Sequence, residues 1–334
     1  MDRLSFDLAT GRRTVSSNYS IIQDDGSTAV TFDGGQFEDL FDMRPSNYVT
    51  IAHDTQQFFI DIDTGMSSDT TAEANFCAIL GHNFHTANAI FSVFHDDASD
   101  FGSSTNISAS TNPTDMINGE ADSDTNYIDP AANGWTLITW ANNNTDNRYY
   151  RILITANNGT AQNFASDVKI GSILLGEYHD FSSPSMELSF NVDYDGSKLI
   201  TSAGGNTFAQ ASALGSPQWA SANPWALSTE DTQVYKSSAH YGRRKYNMNF
   251  SHVADTDLFL SNMRDNQDMI DGSDLYSQFF HKSLGVHQPF LWSIDKDSTS
   301  EGDYGLFRLA NGGLQTQQVS FRTWDTSISL VEHW

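Results

Sequence analysis

Short runs of apolar residues, separated by clusters of turn-forming residues, set the pattern of this chain. The segments 48–52 and 57–63 read as two strands, the second closing on Thr64-Gly65. Asn75 to Leu80 is a continuous apolar run, ended by Gly81-His82-Asn83, and Ala89 to Phe94 is another. Strand patterns return at 135–140 and 168–177. Arg148 to Thr155 sets a basic or polar face against an apolar one, the period-two signature of a half-buried strand. Many short strands with turns between them predict a β-sandwich.

Further along, residues 186–194 alternate again, with Leu188, Phe190 and Val192 on one face. Strands are expected at 241–250, 289–294, 304–309 and 326–332. A helix is expected from Asp255 to Met263, capped by Asp255, and a second from Asp274 to His281. Two polar stretches, 96–133 and 201–239, read as long loops, the latter rich in Gly, Ala, Ser and Pro. No internal repeat is found. The fold class is therefore all-β: a β-sandwich at 18–180 and a second strand-rich domain with a helix at 186–334. A polar arm precedes them at 1–17, and Phe181 to Ser185, which contains Pro184, is the linker.

Composition narrows the function. The 334 residues suit two domains. Acidic residues number 42 against 17 basic ones, a net charge of −25. Nucleic-acid binding and attachment to an anionic membrane both need the opposite sign. The single cysteine, Cys77, lies in an apolar run and is expected to be a buried, inert thiol. The start of the chain lacks a signal peptide's apolar core, which places synthesis and folding in a cytoplasm.

Three runs, in this order, carry a resemblance: Ile79-Leu80-Gly81-His82-Asn83-Phe84, Arg148-Tyr149-Tyr150-Arg151-Ile152-Leu153-Ile154, and Lys169 to Glu177. Together they resemble the galactose-binding-like (discoidin-type) jelly-roll of tailed-phage minor tail and tail-tip proteins, over about residues 37–180. Residues 241–250, the helix, Gln288 to Trp292 and the last strand are similar to tail-tube-like and distal-tail domains. The resemblance implies that the first domain is a jelly-roll and the second a sandwich with a flanking helix. It implies a non-enzymatic structural protein of the virion. It would form a hexameric or trimeric ring at the tail tip or baseplate, touching tail tube and tail hub proteins. It also admits a carbohydrate-binding receptor module, and a glycan-degrading tail enzyme as a third reading.

Sugar binding, implied by the same resemblance, needs an aromatic ring to stack on the sugar and polar groups to bond its hydroxyls. Trp135, Trp140, Arg148 and Tyr149 are the candidates; the competing placement puts Trp135 and Tyr150 in the core and the others at subunit contacts. Asp122, Asp124, Asn126 and Asp129 place oxygens at spacings that suit calcium, the one cofactor the sequence admits. The loop lacks the glycine at its sixth position and the glutamate at its twelfth, where Asn133 stands. His82 and His85 are spaced i, i+3, and His95 follows with Asp96 and Asp97. A zinc site needs three or four ligands with a supporting shell, and at strand ends and turns His82 and Asn83 are expected instead to satisfy local backbone groups. Arg243, Arg244 and Lys245 are expected at a subunit interface. No nucleophile elbow, metalloprotease helix or phosphate loop is present, and so no enzyme is expected.

Overall fold

A computed structural model describes residues 19–23, 30–45, 47–63, 74–109, 113–122, 126–141, 148–157, 162–176, 178, 188–193, 197–211, 243–259, 275–281, 283–295 and 297–333. The expected arm at 1–17, the linker 181–185 and most of the 201–239 loop lie outside these residues. The chain divides into two compact units, with the break after Tyr178.

The first unit holds β1 (Tyr19–Gln23), β2 (Phe32–Gly34), β3 (Val49–Ile51), β4 (Gln57–Asp63), β5 (Phe76–His82), a one-turn α1 (Phe84–Ala87) and β6 (Ala89–Asp96). There follow β7 (Thr105–Asn106), β8 (Pro113–Ile117), β9 (Gly119–Ala121), β10 (Ile128–Pro130), β11 (Gly134–Trp140), β12 (Tyr149–Ala156), β13 (Val168–Ile170) and β14 (Ser172–Gly176). The largest sheet has the order β1-β4-β12-β6-β10-β9, with β7 also on β6. A second runs β14-β5-β11-β8, and a third β13-β3-β2. The register gives antiparallel neighbours, such as Ile152 opposite Ile60 and Val93.

The core lies between these sheets. Phe58, Ile60 and Ile62 of β4 and Tyr150, Ile152 and Ile154 of β12 meet Cys77 and Ile79 of β5 and Ile173 and Leu175 of β14. Alternation does this: on a pleated strand every second side chain turns inward. Gly81 sits at φ +70, and a Cβ there would collide with the Pro45 carbonyl oxygen. Gly171 faces the same oxygen, so two glycines let three chain segments pass at close range.

The polar stretch expected to be a loop at 96–133 contains four short strands, β7 to β10. They run two to five residues and carry few apolar side chains, so no period shows in the sequence. Pairing supplies their structure: β8 is held along β11 and β9 along β10.

The second unit holds β15 (Ser189–Asp193), β16 (Ser197–Thr201), β17 (Thr207–Ala211), β18 (Arg243–Ala254), α2 (Asp255–Leu258), β19 (Phe290–Ser293), β20 (Tyr304–Leu309), β21 (Gln315–Ser320) and β22 (Thr323–Glu332). A sheet runs β15-β18-β22-β20-β19, with β21 also on β22, while β16 and β17 form a separate hairpin. Tyr246, Met248, Phe250, Phe307, Ile328 and Leu330 are buried. Tyr246 gathers the rings of Phe190, Trp292 and Phe307 at 4.8–5.6 Å. The helix expected from Asp255 is a single turn among the described residues, and its N-cap is Ala254. Asp255 instead pairs with Arg322 at 3.2 Å. The helix expected at 274–281 is a π-helical turn, Tyr276–His281. The protein is all-β with few helical residues.

Candidate functional site

The first unit's large sheet has a second face, turned away from the core. On β4 it presents Phe59, Asp61 and Asp63; on β12 it presents Tyr149, Arg151 and Leu153, the residues between the inward ones. Antiparallel pairing then fixes who meets whom. Asp61 lies opposite Arg151, and Asp63 opposite Tyr149.

Arg151 donates to Asp61 from Nε at 2.6 Å and from Nη2 at 2.8 Å. Its guanidinium lies between the ring of Phe59, at 4.6 Å, and that of Phe101, at 4.1 Å. Arg148 makes the same two-point fork with Asp63, at 2.7 and 2.8 Å, and lies 5.1 Å from the ring of Tyr149. Such forks are geometrically specific and fix both partners. A guanidinium stacked on a ring is further held by the ring's negative face.

Phe101 reaches this face from the turn after β6, at φ 53. Asp96 pins the turn by accepting from the Ala98 and Ser103 backbone N–H groups. The outcome is a rigid surface of two aromatic–guanidinium stacks and two carboxylates, all half-exposed. Only two of the five N–H donors of Arg151 enter its fork. Chemically, the face can stack an apolar ring face and bond hydroxyl groups in fixed directions.

The expected site residues fall in different places. Arg148 and Tyr149 are part of this face. Trp140 is not: it is 6% exposed and packs in the core, so it offers no ring to a ligand. Trp135 and Trp140 are five residues apart, and on one strand an odd spacing puts them on opposite faces. Trp135 is half-buried on the outer side of β11. Tyr150 is in the core, its hydroxyl accepting from the Ala74 N–H at 3.2 Å.

In the acidic loop, Asp124 lies outside the described residues. Asn126 gives its carbonyl to the Ser92 hydroxyl and the Asn106 amide. The Asp129 carboxyl is pushed above the usual carboxylate range by burial, then by the charges of Asp122 and Glu120. Among the described residues no three His, Cys, Asp or Glu side chains form a metal-holding group. His82 is buried, stacked on Phe84 at 4.5 Å, and its Nε2 pairs with the Thr136 hydroxyl at 3.0 Å. His85 Nδ1 lies 3.2 Å from the Pro130 carbonyl.

Arg244 and Lys245 of the basic cluster find acidic partners inside the chain. Arg244 donates to Glu332 and to the carbonyls of Gly302 and Tyr304. Lys245 pairs with Asp193 at 2.7 Å. Arg243 is half-buried on the same strand.

Asp61, Asp63, Phe59, Phe101 and Arg151 were not singled out in the sequence. Their signal was present in part: acidic off-positions on one strand and basic ones on another. Which strands pair, and in what register, lies beyond period-two patterning.

Protein-family profiles give no match to this sequence, and curated proteins give none either. Among solved structures, 48% of this chain overlays 93% of chitosan-binding module 1 of a chitosanase/glucanase from Paenibacillus sp. IK-5, at 11% identity and a TM-score of 0.31. A similar share overlays 94% of CpGH89CBM32-4 from Clostridium perfringens, at 11% identity and 0.27. The family 89 glycoside hydrolase of Clostridium perfringens matches at 16% and 0.25, with only 14% of its length covered. These neighbours are binding modules or an enzyme; none is a phage tail protein. No helix among the described residues is long and apolar enough to cross a membrane.

Proposed function

We infer that the first unit is a non-catalytic carbohydrate-binding module, and that its ligand lies on the outer face of the large sheet. The observation that carries this reading is the Arg151 clamp between Phe59 and Phe101, tied to Asp61, beside the Arg148–Asp63 fork and Tyr149. Sugar recognition needs rings for the apolar sugar face and pre-oriented donors and acceptors for the hydroxyls. A face whose polar groups are already locked loses little side-chain entropy when a ligand arrives.

The test is a glycan array with the full chain, followed by titration calorimetry on any hit. Tyr149→Ala and Phe101→Ala are each expected to weaken binding by at least about tenfold. A folded chain that binds no glycan, or binds equally well after both substitutions, rejects the assignment. Turnover of a polysaccharide by the purified chain rejects its non-catalytic part.

A second reading is favoured by a different observation. The second unit exposes Phe190, Leu199, Ile200, Phe208 and Phe321. Leu199, Ile200 and Phe208 lie together on one hairpin, and exposed apolar surface of that kind marks protein contacts. In this reading the chain is a virion structural subunit of a tailed phage, assembled at the tail tip. Mass spectrometry of purified virions tests it, and absence of the chain from them rejects it.

A further inference from the structure

The edge of the second unit's sheet carries an uncovered apolar stripe. β15 stands at the end of the strand order, paired with β18 alone among the described residues. Leu188, Phe190 and Val192 fall on one of its faces, and Phe190 is 54% exposed. Its ring touches Tyr246 at 5.0 Å, so the stripe continues the buried ring cluster out to the edge.

Next in the chain comes the hairpin of β16 and β17, which pairs with no other strand among the described residues. Ile200 lies opposite Phe208, and Leu199 turns to the other face. Leu199 is 74% and Phe208 61% exposed. A lone two-stranded hairpin is marginal in water, and one that is apolar on both faces needs a surface to lie on.

Charge says which surface. From Gly196 to Thr229 the sequence has no Asp or Glu, and Lys198 is the only charged residue. Elsewhere about one residue in seven is acidic, and the whole chain carries −25. An acid-free arm with one lysine is the part of this chain suited to approach so anionic a body.

We propose that the Ser197–Ala211 hairpin is a docking arm that lies on the Leu188–Phe190–Val192 stripe of a second copy of this chain. This rests on the assembly reading above. Arm and stripe match in length, since β15, β16 and β17 have five residues each. One chain supplies both halves: a reciprocal exchange closes an isologous dimer, and a contact that propagates head to tail is heterologous and closes a ring.

A cysteine cross-link tests it in the full chain. Phe208→Cys protein is mixed with Phe190→Cys protein under mild oxidation by oxidised glutathione. The native Cys77 is buried and stays out of the reaction. The expected result is a disulfide-linked mixed dimer at least about tenfold above that from Phe208→Cys with Phe321→Cys, a control exposed in the turn between β21 and β22. In the unsubstituted chain, Leu199→Glu is expected to weaken association in sedimentation by a similar factor. A yield no higher than the control, with native circular dichroism, overturns the proposal. So does a cross-link formed within one chain when both cysteines are placed on it, or an arm that captures only an unrelated protein. A chain found in virions that fails to cross-link sinks the docking arm and leaves the assembly reading standing. A chain that cross-links but is missing from virions does the reverse.

Discussion

His82 is fully enclosed, and burial pushes its imidazole down to about 3 from an ordinary 6.5, a hydrogen bond to the Trp135 backbone opposing the shift. It is therefore neutral in the folded chain at any ordinary pH. The unfolded chain takes up a proton on this residue below about pH 6.5, and the folded chain does not until near pH 3. Stability held above pH 6.5 is thus lost as the pH falls toward 3. Between about pH 7.5 and pH 5 the loss from this one residue is about 2 kcal/mol. Urea titrations of the first unit at those two pH values will show it, and His82→Gln will remove that share of the difference. An unchanged difference would mean His82 is not the group responsible. The Arg151–Asp61 fork sets a second residue-scale expectation. Arg151→Ala leaves a half-buried carboxylate without its guanidinium and strips the stack from Phe59 and Phe101. A destabilisation of about 2 kcal/mol, read by urea denaturation, is expected, and Arg151→Lys will recover only part of it because an ammonium cannot fork.

At the scale of elements, the close passage at Gly81 and Gly171 is the sharpest constraint. Each glycine faces the Pro45 carbonyl, and Gly81 also holds a left-handed backbone. Gly81→Ala adds both a collision and backbone strain, so a loss above about 3 kcal/mol, or failure to fold, is expected in thermal melts. A control such as Gly204→Ala, in an open turn, should change little. The run at 168–177, read as one strand, breaks at Gly171 into β13 and β14 in different sheets. The strands at 57–63, 76–82, 89–96 and 149–156 were legible because long apolar runs and alternation mark them. Strands β7 to β10 were not, because two to five polar-flanked residues are too few to show a period. The hairpin at 197–211 was hidden for the same reason, in a stretch whose composition reads as loop. Of the candidate face, Arg148 and Tyr149 could be named from residue type. Asp61, Asp63 and Phe59 needed the β4–β12 register, and Phe101 needed a turn that only the Asp96 hydrogen bonds define. Trp140 was misplaced, although strand parity with Trp135 already separated the two.

For the whole molecule, two units with different surfaces imply a division of labour: a polar–aromatic sheet face on the first and exposed apolar strands on the second. The charge of −25 keeps such a chain dispersed at low salt. Salt above about 0.15 M screens that repulsion and should strengthen self-association. Cys77 adds one more consequence. Burial drives its thiol up to about 12, and the residue lies wholly within the first unit's core. Because the chain has no other cysteine, a thiol-reactive dye added to the native protein becomes a clock for a single event, the opening of that core. The rate at which colour appears therefore reports opening at the first unit's core, read in the intact chain and without cutting the two apart.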